Sequence, residues 1–249
     1  MLSVLIEKII ETDKNPIERV LSMKGKIYTF LSPVSYLLAM DSERLFAKFD
    51  GIYADGSLLV EAVCRLYKAR IVRRSFDMTS MAPLVFEYAD KNRSSVYIVA
   101  SRETHVLKSV EILRLKYPHV NFVGSRSGYF TSRQEMEDEA KHIALVNPDF
   151  VIIGMGSVLQ EDFLYKIKEN GFTGIGFTCG GFIHQTAIGG IDYYPAWVNK
   201  MNIRYLYRMY REKHTRSRYL KTAFLFPIRF IMEKIKIGRR DGGGSSSKK

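Results

Sequence analysis

Cysteine is scarce in this chain, and no hydrophobic run is long enough to suggest a membrane-spanning helix. The two cysteines, Cys64 and Cys179, lie far apart and form neither a Cys-x-x-Cys pair nor a metal-ligand spacing, which favours buried thiols in a reducing compartment. The most apolar segment, Tyr219–Ile237, is interrupted by Pro227 and by five charged side chains, so it lacks the roughly 18 apolar residues of a spanning helix. Residues 1–15 lack the long apolar region and the cleavage site of a signal peptide. These absences predict a cytoplasmic protein that does not cross a membrane.

Metal-binding and dinucleotide-binding signatures are also missing. The sequence contains no His-Glu-x-x-His, no paired histidines at metal-ligand spacing and no Asp-x-Asp, so neither a resident metal nor another cofactor is expected. It contains no Gly-x-Gly-x-x-Gly and no acidic residue at the matching offset, which argues against an NAD-dependent enzyme.

Positive charge is concentrated at the C-terminal end. Residues 1–198 carry 23 Lys and Arg and 23 Asp and Glu, whereas residues 199–249 carry 15 Lys and Arg against three acids, which accounts for the net charge of +12. The basic residues there alternate with Tyr, Phe, Leu and Ile. We therefore expect an electrically neutral catalytic body over 1–195, a segment that docks on a polyanion over 196–238, and a low-complexity disordered tail over 239–249.

Short apolar segments alternate with amphipathic ones along most of the body. Strand-like segments such as Val96–Ala100 and Phe150–Gly154 are separated by helical patterns of about twelve residues, the spacing of right-handed βαβ units. Lys26–Leu31 and Gly51–Ala54 indicate two further strands upstream. The predicted fold class is α/β, a Rossmann-like parallel sheet with helices on both faces, with a basic amphipathic helical appendage at the C-terminus. Ligands of such sheets bind at the carboxyl ends of the strands.

The appendage carries a periodic row of basic side chains. Steps of three or four residues separate its members, which places them on one face of a single helix. They are Arg204, Arg208, Arg211, Thr215 and Arg218.

Asp55 and Gly56 directly follow the predicted strand Gly51–Ala54. A carboxylate at a strand end, next to a glycine, is well placed for a general base. The alternative is an ordinary Asp-Gly turn.

Two glycine-rich turns follow later strands. Gly154 and Gly156 come before a predicted helix that begins near Gln160, and Gly180 and Gly181 follow the last strand. Such turns let backbone N–H groups approach a phosphate. The alternative for Gln160 is that it only caps the helix together with Ser157, and the alternative for the second pair of glycines is close packing.

Two further positions in the sequence carry polar side chains that are candidates for binding or catalysis. Arg73 and Arg74, with Asp77, could hold a diphosphate and an internal ion pair, although a surface arginine pair is the commoner case. His184 lies near glycines without an evident catalytic partner, so it is expected to be structural.

Four stretches together resemble the WecG/TagA/CpsF family, glycosyltransferase family 26. They are ADGSLL (54–59), KYPHVNFVGSRSGYF (116–130), PDFVIIGMGSVLQEDFL (148–164) and YYPAWVNKMNIRYLYRMYRE (193–212). The resemblance spans roughly residues 26–220, with the motifs in the family's order.

The resemblance implies an inverting, metal-independent transfer of a hexose from a UDP-sugar to a saccharide on undecaprenyl diphosphate, in bacterial surface-polysaccharide synthesis. It implies a peripheral protein at the cytoplasmic face of the bacterial inner membrane. Asp55 would be the base, Gln160 an active-site contact, and Arg73 the active-site arginine, with Arg74 as the alternative.

The resemblance also assigns two larger groups of residues. Substrate contacts are expected from Ser32, Gly56, Arg74, Gly154, Gly156, Glu161, Gly180 and Gly181. Contacts with the lipid diphosphate and the anionic membrane surface are expected from Arg204, Arg208, Arg211, Arg216 and Arg218.

The sequence departs from the family pattern at several site positions, so the resemblance does not name the donor hexose. The departing residues are Phe30-Leu31-Ser32, Ala100-Ser101, Val158, Ile183-His184 and Arg204-Tyr205. Arg204 stands where the family usually has Glu.

Alternatives to a transferase follow from the same features. Basic residues interleaved with aromatic ones also suit RNA or DNA, but the segment has an apolar face and no known nucleic-acid module, so no nucleic acid is expected. A non-catalytic interaction protein on a transferase-like fold is the other alternative. Assembly into a homo-oligomer stays open.

Overall fold

The computed structural model describes residues 2–201, 203–212 and 216–242 of the 249-residue chain. Its strands are β1 (Lys26–Leu31), β2 (Gly51–Ala54), β3 (Ser95–Ala100), β4 (Asn121–Arg126), β5 (Phe150–Gly154) and β6 (Ile175–Thr178). Its helices are α1 (Val4–Asp13), α2 (Ile17–Val20), α3 (Pro33–Asp41), α4 (Glu43–Phe46), α5 (Ser57–Tyr67), α6 (Met81–Lys91), α7 (Glu103–Lys116), α8 (Arg133–Val146), α9 (Leu159–Glu169), α10 (Phe182–Gly189), α11 (Ala196–Lys200), α12 (Arg204–Arg211) and α13 (Arg216–Gly242).

The six strands form one sheet in the order β2-β1-β6-β5-β3-β4, and each of its pairings is parallel. Apolar side chains project from both faces of the sheet. On β5, Val151 and Ile153 pack into one core and Phe150 and Ile152 into the other, as the two-residue period of a strand requires. This confirms the predicted α/β fold class with a parallel sheet between layers of helices.

The two cores lie on opposite faces of the sheet. One contains side chains of α1, α3, α5, α8 and α9, and the other those of α2, α6, α7 and α10. Rings from neighbouring strands stack in the second core, with centroids 5.5 Å apart for Tyr28 and Phe177 and 5.2 Å apart for Phe30 and Tyr53. Such aromatic contacts fix the register of β2, β1 and β6.

The C-terminal helices pack on the body. Phe226 and Phe230 of α13 are buried in the first core and contact Tyr36 of α3, at centroid distances of 6.0 and 5.2 Å. The Tyr36 hydroxyl donates a 2.7 Å hydrogen bond to the Glu233 carboxylate. The division of the chain at residue 195 stays a prediction, since the helices beyond it share this core.

The prediction of a single amphipathic helix over the basic row is wrong. Helix α12 ends at Arg211, Glu212 leaves the helical conformation with φ −115° and ψ 81°, and α13 begins at Arg216. Because the Glu212 side chain is buried against Arg208 and Tyr193, the chain turns inward here. Thr215, a predicted member of the row, lies outside the described residues.

Three remaining expectations concern the chain end, the thiols and the membrane. Helix α13 continues to Gly242, so residues 239–242 are helical, whereas residues 243–249 of the predicted disordered tail lie outside the described part. Both cysteines are free, with Cys179 buried and Cys64 half-buried. Within the described ranges, no helix is both long and apolar enough to span a membrane.

Candidate active site

A cleft with two adjoining compartments lies at the carboxyl edge of the sheet. The larger, about 800 Å³ in volume, extends over the turns that follow β3, β5 and β6. The smaller, about 520 Å³, lies between α3, α5 and the two C-terminal helices α12 and α13. Both compartments are lined by Asp55, Ser32, Tyr194 and Arg208, which therefore mark the boundary between them.

Asp55 is held at this boundary by the sheet itself. Its backbone N–H donates a 2.8 Å hydrogen bond to the Leu31 carbonyl, which continues the pairing of β1 with β2 by one residue. Gly56 then turns the chain at φ +95° into α5 and lines the smaller compartment. Glycine adopts this left-handed conformation without steric cost, so the carboxylate of Asp55 is directed into the cleft.

The ionisation of Asp55 reflects its surroundings. Its side chain lines the cleft and keeps 34% of its accessible surface, and the enclosing protein raises the pKa of this carboxyl by removing it from bulk water. Arg73 opposes that rise, with Nη2 3.2 Å from Asp55 Oδ1. A carboxylate with a raised pKa is better matched to proton abstraction than an ordinary aspartate.

Arg73 belongs to a network of alternating charges. Its Nη2 donates to Ser75 Oγ at 2.6 Å and lies 3.3 Å from Asp77 Oδ2. Arg204 of α12 contacts the same Asp77 oxygen through Nη1 at 3.0 Å. The Arg204 guanidinium also lies 5.3 Å from the centre of the Tyr194 ring. Asp55, Arg73, Asp77 and Arg204 thus form a chain of opposite charges across the boundary of the cleft.

Arg74 lies outside the cleft, contrary to its prediction as a substrate contact. Its backbone N–H donates to the Ala54 carbonyl at 2.9 Å, and its Nε is 3.9 Å from Asp13 Oδ1. Because consecutive residues of an extended segment point to opposite sides, only one of the two arginines can face Asp55. The geometry favours Arg73 over Arg74 as the arginine of the site.

Gln160 and Glu161 have different places at the start of α9. Gln160 lines the larger compartment, where its Oε1 accepts a 3.2 Å hydrogen bond from the Gly180 backbone and its Nε2 donates to Glu161 at 2.8 Å. Glu161 is completely buried and accepts hydrogen bonds from Thr29 Oγ1 at 2.8 Å and the Val158 backbone at 2.5 Å.

Glu161 is therefore not the direct substrate contact predicted from the sequence. It lies below the lining of the cleft and holds Gln160 and the start of α9 in place. Burial raises the pKa of its carboxyl, against the effect of those hydrogen bonds. Since Glu161 bonds the Val158 N–H at the helix start, the alternative in which Gln160 and Ser157 form the cap is wrong. Gln160 is left facing the glycine turn.

The glycine turns allow close approach of the chain at the cleft floor. A Cβ on Gly154 would lie 2.7 Å from Cys179 Sγ and 2.8 Å from the Gly180 carbonyl oxygen. One on Gly181 would lie 2.7 Å from Arg208 Nη2. Gly154, Gly156, Gly180 and Gly181 all line the larger compartment, as the sequence predicts for a phosphate-approach surface. Ser32, also predicted, lines both compartments while it caps α3.

The five predicted C-terminal arginines divide into two groups. Arg204, Arg208 and Arg218 line the cleft, and Arg208 is held by Glu212, whose two carboxylate oxygens are both 3.2 Å from its Nε. Arg211 and Arg216 are exposed outside the cleft, with Arg216 donating to the Met209 carbonyl at 2.9 Å. The structure thus brings three of the five to the site.

A histidine pair in the larger compartment was not predicted. His105 Nδ1 lies 3.1 Å from Ser101 Oγ and 3.1 Å from His184 Nδ1. Ser101 directly follows β3 and His105 lies in the first turn of α7, so their position at the carboxyl edge could have been found from the strand assignment. The meeting with His184, 79 residues away, could not. Tyr194 was missed because aromatic side chains near a proline give no distinct signal.

No group of three or more His, Cys, Asp or Glu side chains is arranged to hold a metal ion in the part of the chain that the structure describes. The guanidinium groups of Arg73, Arg204 and Arg208 face Asp55 with positive charge.

Comparison with known proteins agrees with this architecture. The sequence model of the glycosyl transferase WecG/TagA/CpsF family matches residues 12–240. A relative from Shigella boydii, UDP-Gal:alpha-D-GlcNAc-diphosphoundecaprenol beta-1,4-galactosyltransferase, is 32% identical over 209 residues, 84% of this chain and 87% of the relative.

Two relatives with another printed activity are also similar. The N-acetylglucosaminyldiphosphoundecaprenol N-acetyl-beta-D-mannosaminyltransferase of Bacillus subtilis (strain 168) is 21% identical over 188 residues, 74% of this chain and 72% of the relative. The protein of the same name from Staphylococcus aureus (strain MW2) is 27% identical over 188 residues, 75% of this chain and 70% of the relative. Since the family model covers most of the sequence, the chain belongs to the WecG/TagA/CpsF family and is a glycosyltransferase.

Proposed function

We propose that the protein transfers a hexose from a UDP-sugar to a saccharide carried on undecaprenyl diphosphate, with inversion and without a metal, in surface-polysaccharide synthesis. One observation carries this proposal. Asp55, whose pKa is raised by its enclosure, lies on the boundary between two adjoining compartments and faces a group of arginines.

The acceptor hydroxyl attacks the anomeric carbon of the donor while Asp55 takes up its proton. The new bond joins the acceptor oxygen to the anomeric carbon, and the bond from that carbon to the diphosphate oxygen breaks, so that UDP leaves with the bonding electrons. A single displacement of this kind inverts the anomeric configuration. Arg208, which lines both compartments, and the backbone of the glycine turns stabilise the charge that develops on the diphosphate, while Arg73 holds Asp55.

The larger compartment suits the nucleotide-sugar donor. Its floor consists of the turns at Gly154 and Gly180 and the start of α9, where the positive end of the helix dipole favours anions. Gln160 is fixed there by hydrogen bonds to Gly180 and Glu161, so its orientation is set before any ligand binds. We assign this compartment to UDP and the hexose.

The smaller compartment suits the lipid-linked acceptor. Its walls are mainly apolar, with Leu58, Leu206 and Leu220 among them, and Arg73, Arg204 and Arg208 line it beside Asp55. A group of guanidinium cations next to apolar walls matches a diphosphate attached to a prenyl chain. The acceptors in the relatives' printed names are diphosphoundecaprenol-linked saccharides, and we extend that acceptor class to this protein. Because those names give different hexoses, we leave the donor sugar unassigned.

We assign to helix α13 the surface that contacts the anionic cytoplasmic face of the membrane. Phe224, Ile228, Ile231 and Ile235 repeat at helical spacing and are between 48% and 75% exposed, on the side opposite the buried Phe226 and Phe230. Arg216 and Arg218 lie at the start of the same helix. An exposed apolar row with neighbouring basic residues is the pattern of a helix that lies in a membrane interface.

The Asp55→Asn variant tests the assignment of the base. We expect a loss of kcat of at least about 100-fold, because the amide cannot accept the proton, with UDP binding retained. The assay would use full-length protein, a panel of UDP-hexoses and N-acetylglucosamine linked to a short prenyl diphosphate. Asp138→Asn, an exposed aspartate on α8, is the matched control and should behave as wild type. Normal turnover by Asp55→Asn would refute the assignment.

A further inference from the structure

We propose that Arg204 is a positioning residue for the transfer, which pairs with Asp77 so that Arg73 stays available to Asp55. Docking of α12 on the body would then be required for the base to be held ready. This inference rests on the proposed function, since it concerns the same catalytic carboxylate.

Arg204 belongs to the interior of the site although it lies in the basic C-terminal segment. Its side chain is only 18% exposed, with Nη1 3.0 Å from Asp77 Oδ2 and the guanidinium carbon 5.3 Å from the centre of the Tyr194 ring. Arg211, on the same helix, is exposed. The two arginines therefore have different surroundings, and the membrane surface does not account for Arg204.

Asp77 is the carboxylate through which Arg204 acts. Its Oδ1 accepts hydrogen bonds from the backbone N–H and the hydroxyl of Thr79, and its Oδ2 accepts from Ser75 Oγ at 2.7 Å. These bonds hold Asp77 with its second oxygen between Arg73, at 3.3 Å, and Arg204, at 3.0 Å. The side chain of Asp77 is 14% exposed, so little water is present to screen its charge.

The charges of the four groups in this network cancel. Asp55 and Asp77 face Arg73 and Arg204, and Arg73 Nη2 lies almost equally far from both carboxylates, at 3.2 and 3.3 Å. Without Arg204, Arg73 would be the single cation among these four residues to face two carboxylates, and the remaining three residues would carry a net negative charge. Arg73 would then be drawn toward Asp77, and Asp55 would hold its proton more tightly because its pKa would rise further.

Other groups facing Asp55 do not replace Arg204 in this balance. Arg208 also lowers the pKa of Asp55, but its Nε is engaged by Glu212. Tyr194 and Glu61 line the same compartment and add no positive charge. A glutamate at position 204 would place a further carboxylate against Asp77.

The test is the pH dependence of kcat and KM for Arg204→Gln, Arg204→Lys and the double variant Arg204→Gln/Asp77→Asn, in full-length protein. The acceptor would be N-acetylglucosamine on a short prenyl diphosphate in detergent, which removes membrane binding from the measurement. For Arg204→Gln we expect the acidic limb of kcat to move to higher pH by about one unit, a tenfold lower rate on that limb, with donor KM little changed.

The companion variants distinguish positioning from a merely structural contact. Arg204→Lys should restore much of the wild-type profile, and the double variant should return the limb toward wild type because both charges of the pair are removed. Lys200→Gln, which removes a neighbouring exposed charge on α11, is the control. An acidic limb that stays in place in Arg204→Gln, or that is not moved back in the double variant, would overturn the proposal.

Failure of this inference differs from failure of the proposed function. If Asp55→Asn is inactive while Arg204→Gln shows an unshifted profile, the base assignment stands and the positioning by Arg204 is wrong. If Asp55→Asn is active, both are wrong.

Discussion

The carboxylate of Asp55 is subject to two opposing influences on its ionisation. Enclosure by the protein raises its pKa, and Arg73, Arg204 and Arg208 lower it. Because the first effect is the larger, the group should lose activity as a base at a higher pH than an ordinary aspartate, whose pKa is about 3.9.

This balance predicts a specific pH profile. In the wild type, kcat should fall as the pH decreases through the raised pKa of Asp55, since only the ionised carboxylate accepts a proton. Arg73→Gln should move that limb further up in pH and also lower the plateau by about 10-fold or more, because the carboxylate of Asp55 loses the side chain that orients it. Steady-state rates across pH measure both effects. A limb in Arg73→Gln that moves to lower pH would contradict the account.

Individual residues show where sequence reasoning succeeds and where it ends. The positions of Asp55 and Gln160 at the cleft could be predicted, because Asp55 directly follows an apolar strand, Gln160 lies at the start of the helix after another, and strand ends meet at one edge. The sequence could not decide between Arg73 and Arg74 as the arginine of the site, because it does not show which of the two side chains faces Asp55. Glu161 could not be recognised as buried, since nothing local to the sequence reveals that Thr29, 132 residues away, donates to it.

Helices and strands were more predictable than the contacts between them. β1, β2 and β5 have the bounds expected from sequence, because buried parallel strands are continuous apolar runs bounded by glycine or polar residues. The break between α12 and α13 was missed because the basic periodicity continues through it. Only the buried contacts of Glu212 with Arg208 and Tyr193 explain why the helix stops there.

The exposed row of α13 gives a prediction at the scale of the element. The double variant Phe224→Ser/Ile228→Ser should weaken binding to vesicles containing phosphatidylglycerol by more than about 10-fold, since burial of each side chain is worth roughly 1.5–3 kcal/mol. Thermal stability should not change, because the two side chains are 75% and 57% exposed. Vesicle flotation provides the measurement.

Leu115→Ser is the control for that experiment, because Leu115 is 86% exposed on α7 and should not affect flotation. Point variants are preferable to deletion of the C-terminal helices, which would also remove Phe226 and Phe230 from the core. Equal flotation of the double variant and the wild type would contradict the assignment of this face to the membrane.

The whole molecule combines two predicted features in a way that the sequence alone does not reveal. The charge-neutral body and the basic C-terminal segment appear as separate parts in the sequence. In the structure, α12 forms one wall of the cleft, and Arg204 and Arg208 lie beside Asp55. Part of the C-terminal charge therefore lies beside Asp55 in the cleft, and the exposed remainder is the part that we propose for the membrane surface.

The central claim is an inverting transfer from a UDP-hexose to a prenyl-diphosphate saccharide. The most direct measurement is the anomeric configuration of the first product, determined by NMR after incubation of full-length protein with alpha-linked UDP-hexoses and N-acetylglucosamine on a short prenyl diphosphate. The account predicts a beta-linked product, formed equally well with and without a metal chelator. An alpha-linked product, or transfer that stops when the chelator is added, would contradict it.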